Sequence, residues 1–161
     1  TGHLVLSTLH TNDAPGGIAR LLDMGVEPFL VVSSVECIIA QRLVRLICPH
    51  CKEKAPAGRG LLLGGGMTGG DLSKTATYKG AGCEKCGHTG YSGRTAIHEV
   101  LLMSDKVREL CLARSSSTEI RRQATKEGMK SLREDGWEKI AQGLTTVDEV
   151  VRVTQEQNST F

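Results

Sequence analysis

Two pairs of cysteines constrain this chain more than any other feature of its sequence. The first pair is Cys48-Pro-His-Cys51 and the second is Cys83-Glu-Lys-Cys86, with 31 residues between the pairs. The Cys-x-x-Cys spacing lets two thiolates of one tight turn reach the same metal ion, and two such pairs complete a tetrahedral set of ligands. The sequence therefore predicts a structural zinc knuckle in the middle of the chain.

Other uses of the four cysteines stay open at this point. An iron–sulfur cluster also takes four thiolates. A redox-active Cys-x-x-Cys needs one pair and usually opens a helix, whereas both pairs here lie in turn-rich sequence. Disulfides need an oxidising compartment, and no signal peptide is visible, although the chain starts at Thr1 without a methionine. Zinc is favoured, because four thiolates close a site that stabilises the fold and leaves no position for water.

The remaining histidines and cysteines of this region need no metal. His50 and His88 could each replace a cysteine ligand, but four sulfurs suffice, so we expect these histidines to be solvated or to donate hydrogen bonds beside the ligands. Cys37 and Cys111 lie among apolar residues and are predicted to be buried, inert thiols. Reduced thiols together with zinc predict a cytoplasmic protein.

The composition allows a core of aliphatic residues. The chain has 161 residues, of which 39% are hydrophobic and 3% are aromatic, so Leu, Ile, Val and Ala must fill the core. No apolar run reaches the about 20 residues that span a bilayer as a helix. The net charge of +2 argues neither for nor against a nucleic-acid or membrane surface.

The N-terminal part of the chain is predicted to alternate strands and helices. A buried strand over residues 3–8 precedes a helix that Asn12 or Asp13 caps. A second helix is predicted from residue 27 to residue 39, and a strand over residues 41–47. The order strand, loop, helix, helix, strand is typical of an α/β domain.

The second half of the chain is predicted to be mainly helical. After a strand over residues 94–102, four short helices follow. Small polar residues are the predicted caps of three of them: Ser104, Ser117 or Thr118, and Thr145 or Thr146. The Gly-rich residues 56–82 predict a flexible surface excursion and not a P-loop, because no Gly-Lys-Ser/Thr follows the glycines. Residues 155–161 are predicted to be frayed.

Several segments resemble one known family in the same order along the chain. The opening Thr1-Gly-His3-Leu-Val-Leu-Ser-Thr-Leu-His10-Thr-Asn-Asp13 resembles the histidine box of the ATPases that power type II secretion and type IV pilus assembly. The two cysteine pairs resemble that family's zinc-bearing insertion. The other matching segments are Met24-Gly-Val-Glu-Pro-Phe29, Ala40-Gln-Arg-Leu43, Gly90-Tyr-Ser-Gly-Arg-Thr95, Gly128-Met-Lys-Ser-Leu132, Asp135-Gly136 and Gly143-Leu-Thr-Thr-Val-Asp-Glu-Val150.

The resemblance implies an α/β fold class: the C-terminal part of a RecA-like ATPase core, with a tetracysteine zinc knuckle and a small C-terminal helical domain. Residues 1–47 would be the C-terminal part of the core, and residues 48–93 the zinc-binding insertion with its flexible Gly-rich loop. Residues 94–103 would be a strand returning to the core, and residues 104–161 the helical domain.

The resemblance also implies a function. The family is a homo-hexameric motor driven by Mg-ATP, cytoplasmic and peripheral to the bacterial inner membrane, which works with an inner-membrane platform protein and a membrane anchor protein and not with nucleic acid. The paired cysteines favour the secretion and pilus-extension branch over the retraction ATPases. His10 would lie near the γ-phosphate and report hydrolysis, with His3 as the other histidine of the box; the alternative is that His10 is a packed or capping residue.

The chain departs from the family in one respect. No Gly-x-x-x-x-Gly-Lys-Ser/Thr occurs in its 161 residues, and the acidic Walker B segment and the upstream arginines are also absent. We therefore expect a C-terminal fragment of the motor that neither binds ATP tightly nor hydrolyses it alone. The alternative is a non-enzymatic adaptor whose zinc knuckle docks a partner protein. A nucleic-acid-binding zinc ribbon is disfavoured, because its lysines are scattered and few rings offer stacking.

Overall fold

The structure mixes helices and strands, as the sequence predicts. The computed structural model describes residues 2–55 and 76–154. Most of the predicted Gly-rich excursion, residues 56–75, and the predicted frayed tail, residues 155–161, lie outside the described residues.

The chain divides into two compact units, and each unit combines two separate stretches of sequence. The first unit comprises Thr1–Ala40 and Val100–Met129. The second unit comprises Gln41–Glu99 and Lys130–Phe161. The cysteine pairs therefore belong to the second unit together with the last helices of the chain.

Four helices lie in the first unit: α1 (Ala14–Asp23), α2 (Pro28–Ser34), α3 (Asp105–Leu112) and α4 (Ser117–Lys126). Helix α1 begins where Asp13 Oδ1 accepts a 2.7 Å hydrogen bond from the Gly16 amide, so Asp13 is the cap and Asn12 is not. The other carboxylate oxygen of Asp13 lies 2.8 Å from Arg121 Nη2. This carboxylate thus starts α1 and links it to α4.

The core of the first unit is formed by apolar residues of α1 to α4 and of the segment that precedes α3. Its buried members are Ala14, Ile18, Val31, Leu101, Met103, Val107, Cys111, Ile120 and Ala124. The burial of Cys111 confirms the prediction for that thiol. Cys37, in contrast, is exposed, and the prediction of a buried thiol there is wrong. Successive residues of a strand point to opposite faces, and Ile38 takes the face that packs on the core.

The predicted strand over residues 3–8 is wrong. These residues have no regular secondary structure, and Leu4, Val5 and Leu6 are 83%, 78% and 88% exposed. A strand is stable only where a neighbour satisfies its backbone hydrogen bonds, and no strand pairs with this segment within the described part of the chain. The apolar run Leu4-Val-Leu6 is present, but no strand among the described residues pairs with it.

Within residues 2–55 and 76–154, four strands form two two-stranded sheets. Strand β1 (Cys37–Ile47) pairs with β4 (Tyr91–Leu102), and β2 (Lys52–Ala55) pairs with β3 (Thr77–Gly80). The second pair is antiparallel, with Lys52 opposite Gly80 and Ala55 opposite Thr77. The predicted strands at 41–47 and 94–102 are confirmed, and β1 begins earlier because the β-branched Ile38 and Ile39 favour strand over helix. Helix α2 therefore ends at Ser34 and does not reach residue 39.

Two further helices, α5 (Leu132–Ala141) and α6 (Val147–Thr154), belong to the second unit. They approach closely because α5 has a glycine at the contact: a Cβ on Gly136 would lie 2.5 Å from Val150 Cγ1. Helix α6 is capped by Thr146, whose Oγ1 accepts a 3.3 Å hydrogen bond from the Glu149 amide. Thr146 was one of the two caps predicted for this helix.

Candidate metal centre

The ends of three strands bring the four cysteines together. Cys48 follows the last residue of β1, and Cys51 precedes the first residue of β2. Cys83 caps a single 3₁₀ turn between β3 and β4, and Cys86 is the last residue of that turn. Because β2 and β3 are hydrogen-bonded along their length, the two Cys-x-x-Cys turns lie side by side.

The separations of the sulfur atoms fit one tetrahedral metal ion. Cys48 Sγ lies 3.9 Å from Cys83 Sγ, Cys51 Sγ lies 3.9 Å from Cys86 Sγ, and the Cys83 and Cys86 sulfurs are 3.7 Å apart. All four sulfurs lie within 4.8 Å of one another. Four sulfurs bound at about 2.3 Å to one zinc ion in a tetrahedron would be about 3.8 Å apart. The four thiols are therefore placed as ligands of a single ion.

The same distances argue against two of the uses that the sequence left open, disulfides and an iron–sulfur cluster. A disulfide joins its sulfurs at about 2.05 Å, whereas all four cysteines here are free thiols. In a four-iron cluster each thiolate binds a different iron ion, which separates the sulfurs by more than one tetrahedral edge. One closed four-thiolate site of the structural type is the arrangement that fits.

Backbone amides surround the sulfurs and orient them. Cys86 Sγ accepts hydrogen bonds from the Cys83 amide at 3.2 Å and the Gly90 amide at 3.3 Å, and Cys51 Sγ accepts one from the Gly82 amide at 3.3 Å. The Cys83 amide is the main cause that lowers the pKa of Cys86 to about 6. Burial is the main cause that raises the pKa of Cys51 to about 12. Four thiolates repel one another at these distances, and a bound cation supplies the opposite charge.

Two glycines allow the backbone to cross itself beside the site. A Cβ on Gly80, at the end of β3, would lie 2.0 Å from the Gly90 carbonyl oxygen, and a Cβ on Gly90 would lie 2.6 Å from the Gly80 carbonyl oxygen. No side chain fits at either position without moving the backbone. The crossing sets the direction in which the chain leaves the second cysteine pair, because the Gly90 carbonyl accepts a 2.9 Å hydrogen bond from the Cys48 amide.

The histidines lie outside the cluster of sulfurs. His50 and His88 are exposed in the two turns, and the metal-binding group among the described residues contains the four cysteines alone. His3 and His10 belong to the first unit and are exposed in the irregular segment before α1. Their role in phosphate sensing stays a prediction.

An ionic network around a buried carboxylate in the second unit was not expected from the sequence. The Glu149 side chain is only 2% exposed, and its Oε1 lies 2.6 Å from Arg45 Nη2. Glu149 Oε2 accepts 3.0 Å and 2.9 Å hydrogen bonds from the Arg45 amide and from Arg152 Nη2. Arg45 also lies over the ring of Tyr91, 4.1 Å from its centroid. A glutamate inside the valine-rich face of α6 is the one sequence signal that could have pointed to this network.

Glu149 remains ionised although it is buried. Burial is the largest influence and by itself raises the pKa of this carboxyl group. The hydrogen bonds from Arg45 and Arg152 together outweigh burial and hold the pKa at about 2. The network is therefore fully charged at neutral pH.

Comparison with known proteins shows that the chain is similar to proteins of type II secretion and type IV pilus assembly. Residues 1–152 match the family of type II/IV secretion system proteins. The type IV pilus assembly ATPase PilB of Thermus thermophilus is 48% identical over 156 residues, which are 97% of this chain and 18% of that protein. The type II secretion system protein E of Pseudomonas aeruginosa is 48% identical over 158 residues, which are 98% of this chain and 31% of that protein.

A third relative is also similar over nearly the whole of this chain. The type IV pilus assembly ATPase PilB of Myxococcus xanthus is 47% identical over 152 residues, 94% of this chain and 27% of that protein. The chain thus spans less than a third of the length of each of these three relatives. Among the described residues, no helix combines the length and the apolar character that crossing a membrane requires.

Proposed function

Because the chain belongs to the type II/IV secretion system protein family, we propose that it forms the C-terminal portion of an ATP-hydrolysing motor for type II protein secretion or type IV pilus assembly. The observation that carries the proposal is the identity of 48% over 158 residues to a type II secretion protein E. A pilus assembly ATPase is equally similar, at 48% over 156 residues. The similarity does not favour one of the two machines over the other.

In this proposal the domains follow the boundaries expected from the sequence. Residues 1–47 and 94–103 contribute to a RecA-like ATPase core, residues 48–93 form the zinc-binding insertion, and residues 104–161 contribute the C-terminal helices, of which α3 and α4 lie in the first unit and α5 and α6 in the second. The whole protein is a homo-hexamer at the cytoplasmic face of the inner membrane, driven by Mg-ATP. It works against a membrane platform protein and is held by a membrane anchor protein.

The four cysteines hold a structural zinc ion. Their sulfur separations of 3.7 Å and 3.9 Å support this proposal, as does the number of amide donors that face the sulfurs. Zinc supplies no chemistry to catalysis here, because four thiolates leave it no open coordination position. The site holds the two turns, and the strands that enter and leave them, in one fixed geometry.

The zinc site is tested by counting bound metal. The double variant Cys83→Ser, Cys86→Ser is expected to lose the one zinc per chain that the unchanged protein carries, measured by atomic emission after dialysis. Cys37→Ser is the matched control, because Cys37 is an exposed free thiol outside the cluster. Equal zinc content in the double variant and the control would rule out the four-cysteine site.

The motor function is tested in a hybrid protein. In the Pseudomonas relative, the 158 matching residues are replaced by those of this chain, and the Mg-ATP turnover of the purified hybrid is measured. We expect turnover, and we expect His10→Ala to abolish it if His10 senses the γ-phosphate. His50→Ala, at an exposed histidine, is the control and should leave turnover unchanged. A folded, zinc-loaded hybrid without turnover would contradict the proposal.

A further inference from the structure

The turn between α5 and α6 is hydrogen-bonded to the strand that leads into the cysteine site. The Leu144 carbonyl accepts a 2.9 Å hydrogen bond from the Ile47 amide. Thr145 Oγ1 donates a 2.7 Å hydrogen bond to the Arg45 carbonyl. Both partners are in the last three residues of β1, immediately before Cys48. The position of this turn therefore depends on the position of the first cysteine pair.

The same turn contacts the strand that leaves the site. The Tyr91 hydroxyl and Thr146 Oγ1 are 3.0 Å apart, and Thr146 is the cap of α6. Tyr91 directly follows Gly90, whose amide donates a 3.3 Å hydrogen bond to Cys86 Sγ. The start of α6 is thus connected to Cys86 Sγ in two steps: the hydroxyls of Thr146 and Tyr91 are in contact, and the neighbouring Gly90 amide bonds to the sulfur.

The Glu149 carboxylate adds the strongest of these connections. It is bound by both the amide and the guanidinium of Arg45, so it recognises the backbone of β1 as well as a side chain. A buried carboxylate that loses such partners is strongly destabilising, because the charge is then left unpaired. Helix α6 can therefore occupy this position only while the end of β1 keeps its conformation.

We infer that Glu149 and Thr146 dock α6 onto the strand ends that carry the cysteine pairs, so that zinc binding and the docking of α6 are coupled. The inference rests on the zinc site proposed above. Zinc orders the two strand ends before α6 docks, and docked α6 holds the cysteine pairs at metal-binding separation. Coupling of this kind is reciprocal: whatever docking adds to zinc affinity, zinc adds to docking. Glu149 is thus a positioning residue that acts on the metal site through the end of β1.

Hydrogen exchange of the unchanged 161-residue chain tests the first direction of the coupling. Amide exchange in α6, residues 147–154, is measured with zinc bound and after removal of zinc by a chelator. Exchange in α6 is expected to become at least about tenfold faster without zinc, because local opening then replaces the docked state. Residues of α1, in the first unit, serve as the internal reference.

Zinc affinity of variants tests the second direction. Glu149→Gln keeps the shape of the side chain but removes its charge, and competition with a chromogenic chelator should show roughly tenfold weaker zinc binding. Asp148→Asn is the matched control, because Asp148 is exposed in the same turn of α6 and loses the same charge. Tyr91→Phe removes only the hydroxyl that meets Thr146 and should cause a smaller loss in the same direction.

The outcomes separate this inference from the proposed zinc site. Equal zinc affinity of Glu149→Gln and Asp148→Asn, together with α6 exchange that ignores zinc, would overturn the coupling and leave the zinc site intact. If Glu149→Gln does not fold, Tyr91→Phe and the exchange of the unchanged chain decide in the same way. An unchanged chain that binds no zinc would overturn both the zinc site and the coupling.

Discussion

Glu149 shows what a buried charge requires of its surroundings. The side chain is 2% exposed, yet three nitrogen donors from Arg45 and Arg152 approach its oxygens within 3.0 Å. The two guanidinium groups remain about half exposed, so the cost of desolvating them is small. Only the carboxylate is buried, and its two arginine partners keep it ionised.

The pH dependence of stability follows from this carboxyl group. Its pKa falls from 4.5 to about 2 on folding, so the stabilisation is present above pH 4.5 and is lost as the pH falls towards 2. Allowing for the exposed arginines, we expect Glu149→Gln to reduce the free energy of unfolding by roughly 2 kcal/mol near pH 7. Urea unfolding should show this difference shrink between pH 4.5 and 2.

Because Glu149→Gln is also expected to bind zinc more weakly, zinc content is measured at each pH, and the two chains are compared only where both are loaded with zinc or both are free of it. Asp148→Asn, the exposed neighbour, is expected to show no such convergence. A difference between the unchanged chain and Glu149→Gln that stays constant from pH 7 to pH 2 would contradict the role given to the charge.

Gly80 is required for a different reason, which is space. A Cβ added at Gly80 would lie 2.0 Å from the Gly90 carbonyl oxygen. That oxygen belongs to the backbone, so it cannot move aside by a change of side-chain rotamer. We expect Gly80→Ala to lower the free energy of unfolding by about 3 kcal/mol or more and to reduce zinc content. Gly87→Asn is the control, because its φ of 57° suits asparagine and no atom lies within 4 Å of the new Cβ. Equal stability of the two variants would show that the crossing is not rigid.

At the scale of elements, the start of α4 is set by one hydroxyl and one carboxylate. Ser116 Oγ accepts a 3.3 Å hydrogen bond from the Glu119 amide, and Glu119 Oε2 accepts one of 3.1 Å from the Ser116 amide. This is a capping box. The sequence predicted Ser117 or Thr118 as the cap, and that prediction is wrong by one residue.

The two neighbouring serines therefore make a matched pair of substitutions. Ser116→Ala should cost about 1 kcal/mol of stability, because the Glu119 amide loses its partner. Ser117→Ala should be neutral or slightly stabilising, because Ser117 is the first residue inside the helix and alanine favours helix. Thermal unfolding measures both. The reverse order of the two melting temperatures would place the cap at Ser117.

The sequence predicted those elements whose signals are local. Asp13, Ser104 and Thr146 were each among the expected caps, since a cap bonds to an amide only three residues away. The sequence could indicate that Glu149, among the valines of α6, needs a partner, but it could not identify Arg45, which is 104 residues distant. The Cys-x-x-Cys pairs are an intermediate case: a spacing within each pair suggested the site, although the pairs lie far apart in sequence.

For the whole molecule, the cysteine site is built into the second unit and is not an appendage of it. A Cβ on Gly143, just after α5, would lie 2.6 Å from Lys52 Nζ and 2.9 Å from Tyr78 Cδ2. The β2–β3 pair therefore packs against the end of α5, while the turn after Gly143 bonds to β1 and Tyr91. The β2–β3 pair, the cysteine turns and the last two helices share one packed arrangement, so we expect loss of the metal to disturb the helices.

The last prediction concerns activity of the chain by itself. Phosphoryl transfer is catalysed mainly by groups that cradle the phosphates and the magnesium ion, and the principal cradle is the P-loop with its lysine. The 161 residues contain no Gly-x-x-x-x-Gly-Lys-Ser/Thr, so we expect no Mg-ATP turnover above background for the purified chain, measured by phosphate release. The hybrid with the Pseudomonas relative is the positive control.

The two measurements together separate the parts of the motor. Turnover in the hybrid but not in the chain alone would mean that this portion completes a site whose phosphate cradle lies elsewhere in the protein. Turnover by the chain alone, abolished by His10→Ala, would contradict the expectation. It would mean that the exposed segment before α1 binds nucleotide without a P-loop, because no other part of the chain changes in that variant.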